Sequence, residues 1–342
     1  MSLGVSVIIC TYNGGKRLPE TLRHLALQIV PKSMPWEILV VNNASTDSTA
    51  AIAKQEWEKY NNTSANFTII EQPIPGKNYA FFKGLQVARY EYLLTCDDDN
   101  WLNPNYIAQA FQIMQADLKI GALGGLGIFE PQTPVNKEIA GYESYYVNGI
   151  QTWVDTDHWV YGAGSIYRKS IYLDLINENW KLITPGRVGN KLNGGEDVEY
   201  CFMAYLSGYK IIADDRLVFK HYVPLKRQTL AYIVEMAYWI NYSVALLNSY
   251  YSILNNDERP INKLMNDNFL KSFKTLIKQI ITNSFINLKT WGANRTELKI
   301  AIESTWGTFS CLLKNRKKIS DHHHQIKKIL AVRKDRPILI KL

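Results

Sequence analysis

The first hundred residues alternate between short unbroken apolar runs and longer stretches whose apolar residues recur at helical spacing. Residues 5–10 (VSVIIC) and 37–41 (EILVV) read as strands buried on both faces, rich in β-branched side chains. Residues 67–70 and 92–96 repeat the pattern. Between them, residues 16–29 place Leu18, Leu22, Leu25, Leu27 and Ile29 at helical intervals. A second helix is expected from an N-cap at Ser45 to about residue 60, and a third over 76–88. Such alternation predicts an α/β fold, with βαβ units on a mostly parallel sheet flanked by helices.

Ligands of such sheets bind at the carboxyl ends of the strands. Here those ends are polar: Thr11-Tyr12-Asn13, Asn42-Asn43 and Asp97-Asp98-Asp99. There is no G-x-G-x-x-G after the first strand and no G-x-x-x-x-G-K-[ST] anywhere, which disfavours dinucleotide dehydrogenases and P-loop enzymes. Three adjacent carboxylates repel one another unless a cation sits among them or they splay into water. Their hard oxygens suit Mg²⁺ or Mn²⁺ rather than Zn²⁺. The convergence of three polar strand ends favours the cation over the wet turn.

Further along, residues 104–115 read as a helix and the Gly-rich run 121–127 as a strand. Residues 129–160 are irregular and aromatic-rich, a length that is usually functional when it is ordered. Gly162-Ala163-Gly164 fits either a backbone opened to a ligand or a tight strand crossing. Gly194-Gly195-Glu196-Asp197 opens a helix over 196–206; first-turn carboxylates are favoured there by the helix dipole as well as by function. Residues 211–213 and 217–219 read as strands, followed by His221. From 225 the pattern is helical, over 228–254, 268–288 and 301–313, and His322-His323-His324 is expected in an exposed polar turn.

Composition narrows the class. The chain has 342 residues, 46% hydrophobic and 20% charged, an ordinary globular balance with room for a large domain and an appendage. No apolar run reaches the ~18 residues of a spanning helix, and the first residues lack a basic-then-apolar pattern, so a cytoplasmic protein is expected. Asn61-Asn62-Thr63 matches a glycosylation acceptor that such a chain would not use. Cys10, Cys96, Cys201 and Cys311 fit no metal or redox spacing. Residues 223–342 hold 20 Lys and Arg against 8 Asp and Glu, a net +12; with +8 for the whole chain, residues 1–222 carry −4. The basic amphipathic helices, with Lys271, Lys274 and Lys278 on one face, either pack back on the first domain or another subunit, or lie on an anionic membrane surface. No nucleic-acid partner is expected.

Taken together, VSVIICTYN at 5–13, ILVVNNASTD at 38–47, Asp97-Asp98-Asp99 and Gly195-Glu196-Asp197 resemble the inverting family 2 glycosyltransferases. The resemblance covers roughly residues 4–224, as four motifs in order. It implies a GT-A fold, a Rossmann-like sheet with its nucleotide-binding half over about 1–100 and its acceptor half over about 101–224, extended by a basic helical region over 225–342. It implies a nucleotide-sugar donor across Thr11, Tyr12, Asn13 and Asn42. Asp97 and Asp98 would hold the ribose and donor sugar, and Asp99 with His221 a Mn²⁺ or Mg²⁺ ion. Asp197 would be the catalytic base with Glu196 its neighbour, Lys77 would assist the diphosphate, and a glycan or lipid-linked molecule would be the acceptor. Two departures stand out: Asn42 replaces an Asp common in relatives, and Phe81-Phe82 replace a polar Arg-Asn pair. A nucleotidyltransferase, or a sugar-nucleotide-binding protein with a decayed site, are the alternatives.

Overall fold

A computed structural model describes residues 2–60, 64–135, 137–189, 191–289 and 296–334; the Asn61-Asn62-Thr63 acceptor lies outside them. The elements run β1 (Ser2–Thr11), α1 (Leu18–Ala26), β2 (Trp36–Asn43), α2 (Thr49–Trp57), β3 (Asn66–Gln72), α3 (Lys77–Val87), β4 (Tyr90–Thr95) and β5 (Asn100–Leu102). Then come α4 (Tyr106–Ala116), β6 (Ile120–Pro131), α5 (Val154–Asp157), β7 (Ile166–Arg168), α6 (Lys169–Asn177), α7 (Glu196–Leu206) and β8 (Lys210–Val223). Four helices close the described chain: α8 (Leu230–Leu246), α9 (Asn248–Leu254), α10 (Ile261–Lys289) and α11 (Thr296–Lys334).

The strands form one sheet in the order β3-β2-β1-β4-β7-β6-β8-β5. The four strands β1 to β4 are parallel, as their βαβ pattern requires, while β7 and β5 run against their neighbours. All eight residues of β2 are buried, as expected for a strand covered on both faces. One layer packs α1 and α4 on Val7, Ile9, Ile38 and Val40. The other packs α3 and α7 on Ile8, Leu39, Val41 and Leu93. Alternate residues of each strand therefore feed opposite cores.

Several boundaries differ from those expected. Ser45 does not cap α2, which starts at Thr49; its hydroxyl instead accepts from the Asn13 backbone N–H at 3.0 Å. The segments 211–213 and 217–219 form one strand, because β8 bulges between Ala213 and Val218 and keeps its pairing with β6. The segment 228–254 is two helices, α8 and α9, which bend by 55°. Among the described residues no single helix is long and apolar enough to cross a membrane.

The histidine triplet corrects a clear expectation. It lies inside α11, with His322 and His323 buried, since their rings fill the seam between α11 and α9. His322 Nδ1 sits 2.9 Å from Ser249 Oγ and Nε2 2.9 Å from the Lys181 carbonyl, and burial pushes its pKa down to about 4. Buried Leu312, Ile319 and Ile326 of α11 belong to the same core as Tyr200 and Phe202 of α7. The C-terminal helices thus share the core of the eight-stranded sheet.

Glu199 of α7 is the polar centre of that junction. Its Oε1 accepts from the Ile183 N–H at 2.7 Å and the Tyr250 hydroxyl at 2.9 Å, and Oε2 from the Thr184 N–H at 3.0 Å and hydroxyl at 2.7 Å. Burial raises its pKa to about 7 despite those four donors. Glu199→Ala strands all four donors in a fully buried site, an expected loss of roughly 3–5 kcal/mol in urea unfolding. A loss under about 1 kcal/mol would show that the junction does not depend on it.

Candidate active site

Strand register brings the first set of side chains together. Thr11, Asn42 and Glu71 lie side by side at the carboxyl ends of β1, β2 and β3. Asn42 Nδ2 donates to Glu71 Oε2 at 2.8 Å, which fixes the amide with its oxygen free. That Oδ1 is buried and has no hydrogen-bond partner among the described residues. Fixed this way, the amide offers an acceptor much as an Asp would. Tyr12 is 45% exposed beside it. Asn13 has a left-handed backbone, and its Oδ1 accepts from the Thr46 N–H at 2.8 Å; its side chain pins the 45–47 loop.

The three carboxylates of the acidic turn diverge to three different cations. Asp97 Oδ1 lies 3.1 Å from Lys77 Nζ, at the start of α3. Asp98 takes a bidentate pair from Arg17, Nε to Oδ1 and Nη2 to Oδ2, both 2.8 Å, and accepts the Thr11 hydroxyl at 2.7 Å. Asp99 Oδ2 accepts from Arg227 Nη1 at 2.9 Å, and its Oδ1 is 3.8 Å from His221 Nε2. His221 arrives through the antiparallel pairing of β5 with β8, which sets Asn100 opposite His221. Like-charge repulsion is thereby relieved pair by pair. Burial alone would raise Asp97, but the Lys77 ammonium overrides it and its pKa is lowered. Asp98 is raised, because burial outweighs its Arg17 partner.

The second pair of carboxylates enters from α7. Gly195, at φ +92°, turns the chain so that Glu196 and Asp197 begin the helix. Glu196 Oε1 is 3.6 Å from Lys77 Nζ, so one ammonium joins the acidic turn to the α7 start. Glu196 Oε2 is buried without a partner among the described residues, and burial raises the pKa of this carboxyl. Asp197 Oδ2 accepts from the Gly162 N–H at 2.7 Å and Oδ1 from the Val198 N–H at 2.9 Å. Each oxygen keeps a lone pair.

Glycine is needed in the facing loop. A Cβ on Gly162 would lie 3.0 Å from the Asp197 Cβ, and one on Gly164, at φ +71°, 2.7 Å from the Tyr106 hydroxyl. Gly162 therefore meets the carboxylate with bare backbone, while Gly164 serves a tight crossing. A narrow cavity opens between Lys77, Asp97, Gly162, Glu196 and Asp197, floored by Phe81 and Tyr200. Phe81 and Tyr200 rings lie 4.8 Å apart under the cavity, and Phe82 packs behind them, so of the two phenylalanines expected to remove polar contacts one floors the cavity and the other supports it. The loop aromatics pack internally. Trp153 and Trp159 rings sit 5.0 Å apart, and buried Tyr161 donates its hydroxyl to the Gly125 carbonyl at 2.8 Å.

Whether a divalent ion fits can be judged from the donors. Among the described residues no three His, Cys, Asp or Glu side chains form a ready cage. Asp99 and His221 are near enough for one ion to touch both, and Mg²⁺ commonly takes one or two protein ligands with substrate phosphates and water completing its shell. The donor set fits that mode, since Arg227 occupies Oδ2 of Asp99 and leaves Oδ1 facing His221.

Three residues of the site escaped the sequence pattern: Arg17, Glu71 and Arg227. Glu71 follows directly on the third strand, so the strand-end rule reaches it once β3 is extended. Arg17 stands in the polar loop after β1, but nothing local indicates that it turns back to Asp98. Arg227 lies six residues past His221, and only the turn after β8 brings it to Asp99.

Comparison with known proteins bears on the family and the fold. Poly-beta-1,6-N-acetyl-D-glucosamine synthase of Staphylococcus aureus is 25% identical over 217 residues, 61% of this chain and 47% of that one. Poly(ribitol-phosphate) beta-glucosyltransferase of Bacillus spizizenii is 29% identical over 127 residues, 36% of this chain and 19% of that one. The chain thus spans less than half the length of these curated relatives. A mannosyltransferase from Pyrobaculum calidifontis, solved in complex with GDP-Man and Mn²⁺, superposes with a TM-score of 0.55 over 96% of this chain and 86% of its own, at 19% identity, and shares the fold. The family model described as Glycosyl transferase family 2 matches residues 6–176, half of the sequence, and on that match the chain belongs to glycosyl transferase family 2.

Proposed function

We propose that the protein is a divalent-metal-dependent inverting glycosyltransferase that moves a sugar from a nucleotide-sugar donor to a hydroxyl of a glycan or lipid-linked acceptor. The observation that carries this reading is the Lys77 bridge. One ammonium ties Asp97, at a strand end suited to the donor, to Glu196 beside Asp197, at a helix start facing the same cavity. Two groups of carboxylates a hundred residues apart in sequence are thus held to one cavity, as a donor site and a proton acceptor require. The chain's likeness to a polysaccharide synthase and to a glucosyltransferase acting on poly(ribitol-phosphate) supports a polymer or its precursor as acceptor.

Thr11, Tyr12, Asn13 and Asn42 would face the nucleotide, with the free Asn42 oxygen and Glu71 accepting from the N–H edge of the base. Asp97 would take the donor hydroxyls together with Asp98, which Arg17 and Thr11 hold in place and whose Oδ1 keeps a lone pair. Asp99 and His221 would hold a Mn²⁺ or Mg²⁺ ion, whose chemistry is to neutralise charge on the leaving diphosphate. Arg227 and Lys77 would add fixed positive charge to the same oxygens. Asp197 would accept the acceptor hydroxyl proton as the new O–C1 bond forms and the C1–O bond to the phosphate breaks, its electron pair leaving with the nucleoside diphosphate. A single displacement inverts the anomeric carbon without a protein nucleophile.

Product analysis with a panel of sugar nucleotides and either ion tests the reading. Release of nucleoside diphosphate is expected. Release of pyrophosphate would make the protein a nucleotidyltransferase, and tight donor binding with no turnover toward any acceptor would make it a binding protein.

A further inference from the structure

Helix α10 carries more apolar surface than its packing uses. Leu264, Met265, Ser272 and Leu276 are buried on the side facing the other helices. Next to them Leu270, Phe273, Ile277 and Ile281, spaced three, four and four apart, form one stripe on a 3.6-residue helix, and the least exposed of them is 42% exposed. The stripe continues onto α11. Phe273 stacks on Phe309 at 5.9 Å between ring centroids, and Phe309 on Trp306 at 5.6 Å. Trp306 and Leu313 are themselves exposed. Lys271, Lys274 and Lys278 form a second exposed stripe one step round α10, and Lys314 and Lys317 stand exposed beside Leu313. In α10 the sequence holds a single carboxylate, Asp267, and Arg259 pairs with it at 3.2 Å.

Singly exposed apolar residues are ordinary, but a continuous run over two packed helices marks a docking surface. Charge selects the occupant. Residues 223–342 carry net +12. A second copy meeting this face symmetrically would set lysine stripe against lysine stripe. An anionic bilayer accepts both halves of the pattern, with acyl chains for the Leu270–Ile281 stripe and headgroups for the lysines, and Trp306 suits the boundary between them. We infer that the face formed by Leu270, Phe273, Ile277 and Ile281 with Trp306 and the α10 lysines docks the protein on an anionic lipid surface, the helices lying in its plane. This inference stands apart from the proposed chemistry, since none of these residues lines the catalytic cavity.

The test is co-sedimentation of the full chain with vesicles of phosphatidylcholine alone, or with about a third phosphatidylserine, at low and high salt. Binding is expected on the anionic vesicles only, weakening with salt. Lys271→Gln with Lys274→Gln and Lys278→Gln should lower it by roughly a hundredfold. Ile277→Ser with Ile281→Ser, both at exposed positions, should lower it at least about tenfold with thermal unfolding unchanged. Equal binding to neutral and anionic vesicles, or no loss in either variant, overturns the inference. So does a concentration-dependent dimer in light scattering that the isoleucine variant dissociates, which would assign the face to a second copy. Donor cleavage without lipid, measured on the same preparations, reports separately on the proposed chemistry.

Discussion

Asp197→Asn lowers kcat for sugar transfer by about 10²–10⁴-fold while donor KM stays within roughly threefold of wild type. The amide keeps the size of the carboxylate and one of its two backbone contacts but cannot take the proton of the attacking hydroxyl. Its backbone anchors explain why the damage stays local. With Gly162 N–H on Oδ2 and Val198 N–H on Oδ1, the side chain is held from both sides, and one of the two oxygens survives as an acceptor in the amide. Glu196→Gln behaves differently. It removes one of the two carboxylates that offset the Lys77 charge, so Lys77 is left to Asp97 and donor binding weakens together with turnover. Steady-state kinetics on the two variants separate these roles. An Asp197→Asn enzyme that transfers at the wild-type rate removes Asp197 as base and leaves Glu196, buried with a free oxygen, as the next carboxylate in the cavity.

How much of this was legible in the sequence depends on the range of the interaction. The sheet was legible because β1, β2 and β4 are buried on both faces and so read as unbroken apolar runs ending in polar residues. The helix ends were less so. Capping is a contest among neighbouring hydroxyls, and Ser45 was drawn to the Asn13 backbone while α2 began at Thr49. The pairings inside the site were not legible, since Arg17 to Asp98 and Arg227 to Asp99 join residues 81 and 128 apart, which no local pattern encodes. The same limit explains the histidines. His322-His323-His324 looks like a polar turn until α9 and the 180–184 loop cover His322 and His323, leaving His324 exposed. The base of the cavity shows the reverse case. Phe81 and Phe82 departed from the family pattern in sequence, and tertiary packing turns that departure into an aromatic floor with Tyr200.

Asp99→Ala abolishes stimulation by Mn²⁺ or Mg²⁺ and lowers kcat by about a thousandfold, the several kcal/mol that charge neutralisation at a leaving diphosphate supplies. Asp99 has two neighbours with opposed demands. His221 Nε2 stands 3.8 Å from Oδ1, while Arg227 holds Oδ2 at 2.9 Å. Burial keeps the His221 pKa low, so its imidazole is neutral near pH 7 and has a lone pair to give to an ion. Removing the carboxylate takes one ligand from the ion and leaves the Arg227 guanidinium without its partner, free to lie against the donor phosphates. Residual turnover in Asp99→Ala should therefore be insensitive to EDTA, whereas wild-type turnover is lost on chelation and restored by added metal. Arg227→Met in the same background should remove that residue of activity, because the guanidinium that replaces the ion is then gone. Asp98→Asn serves as the contrast. It weakens the Arg17 clamp and the turn, and with it stability, but leaves the metal titration midpoint where it was. If Asp99→Ala shows the same metal titration as wild type, the ion is held elsewhere, and the Asp99–His221 pair is only the ordinary polar packing of a buried turn.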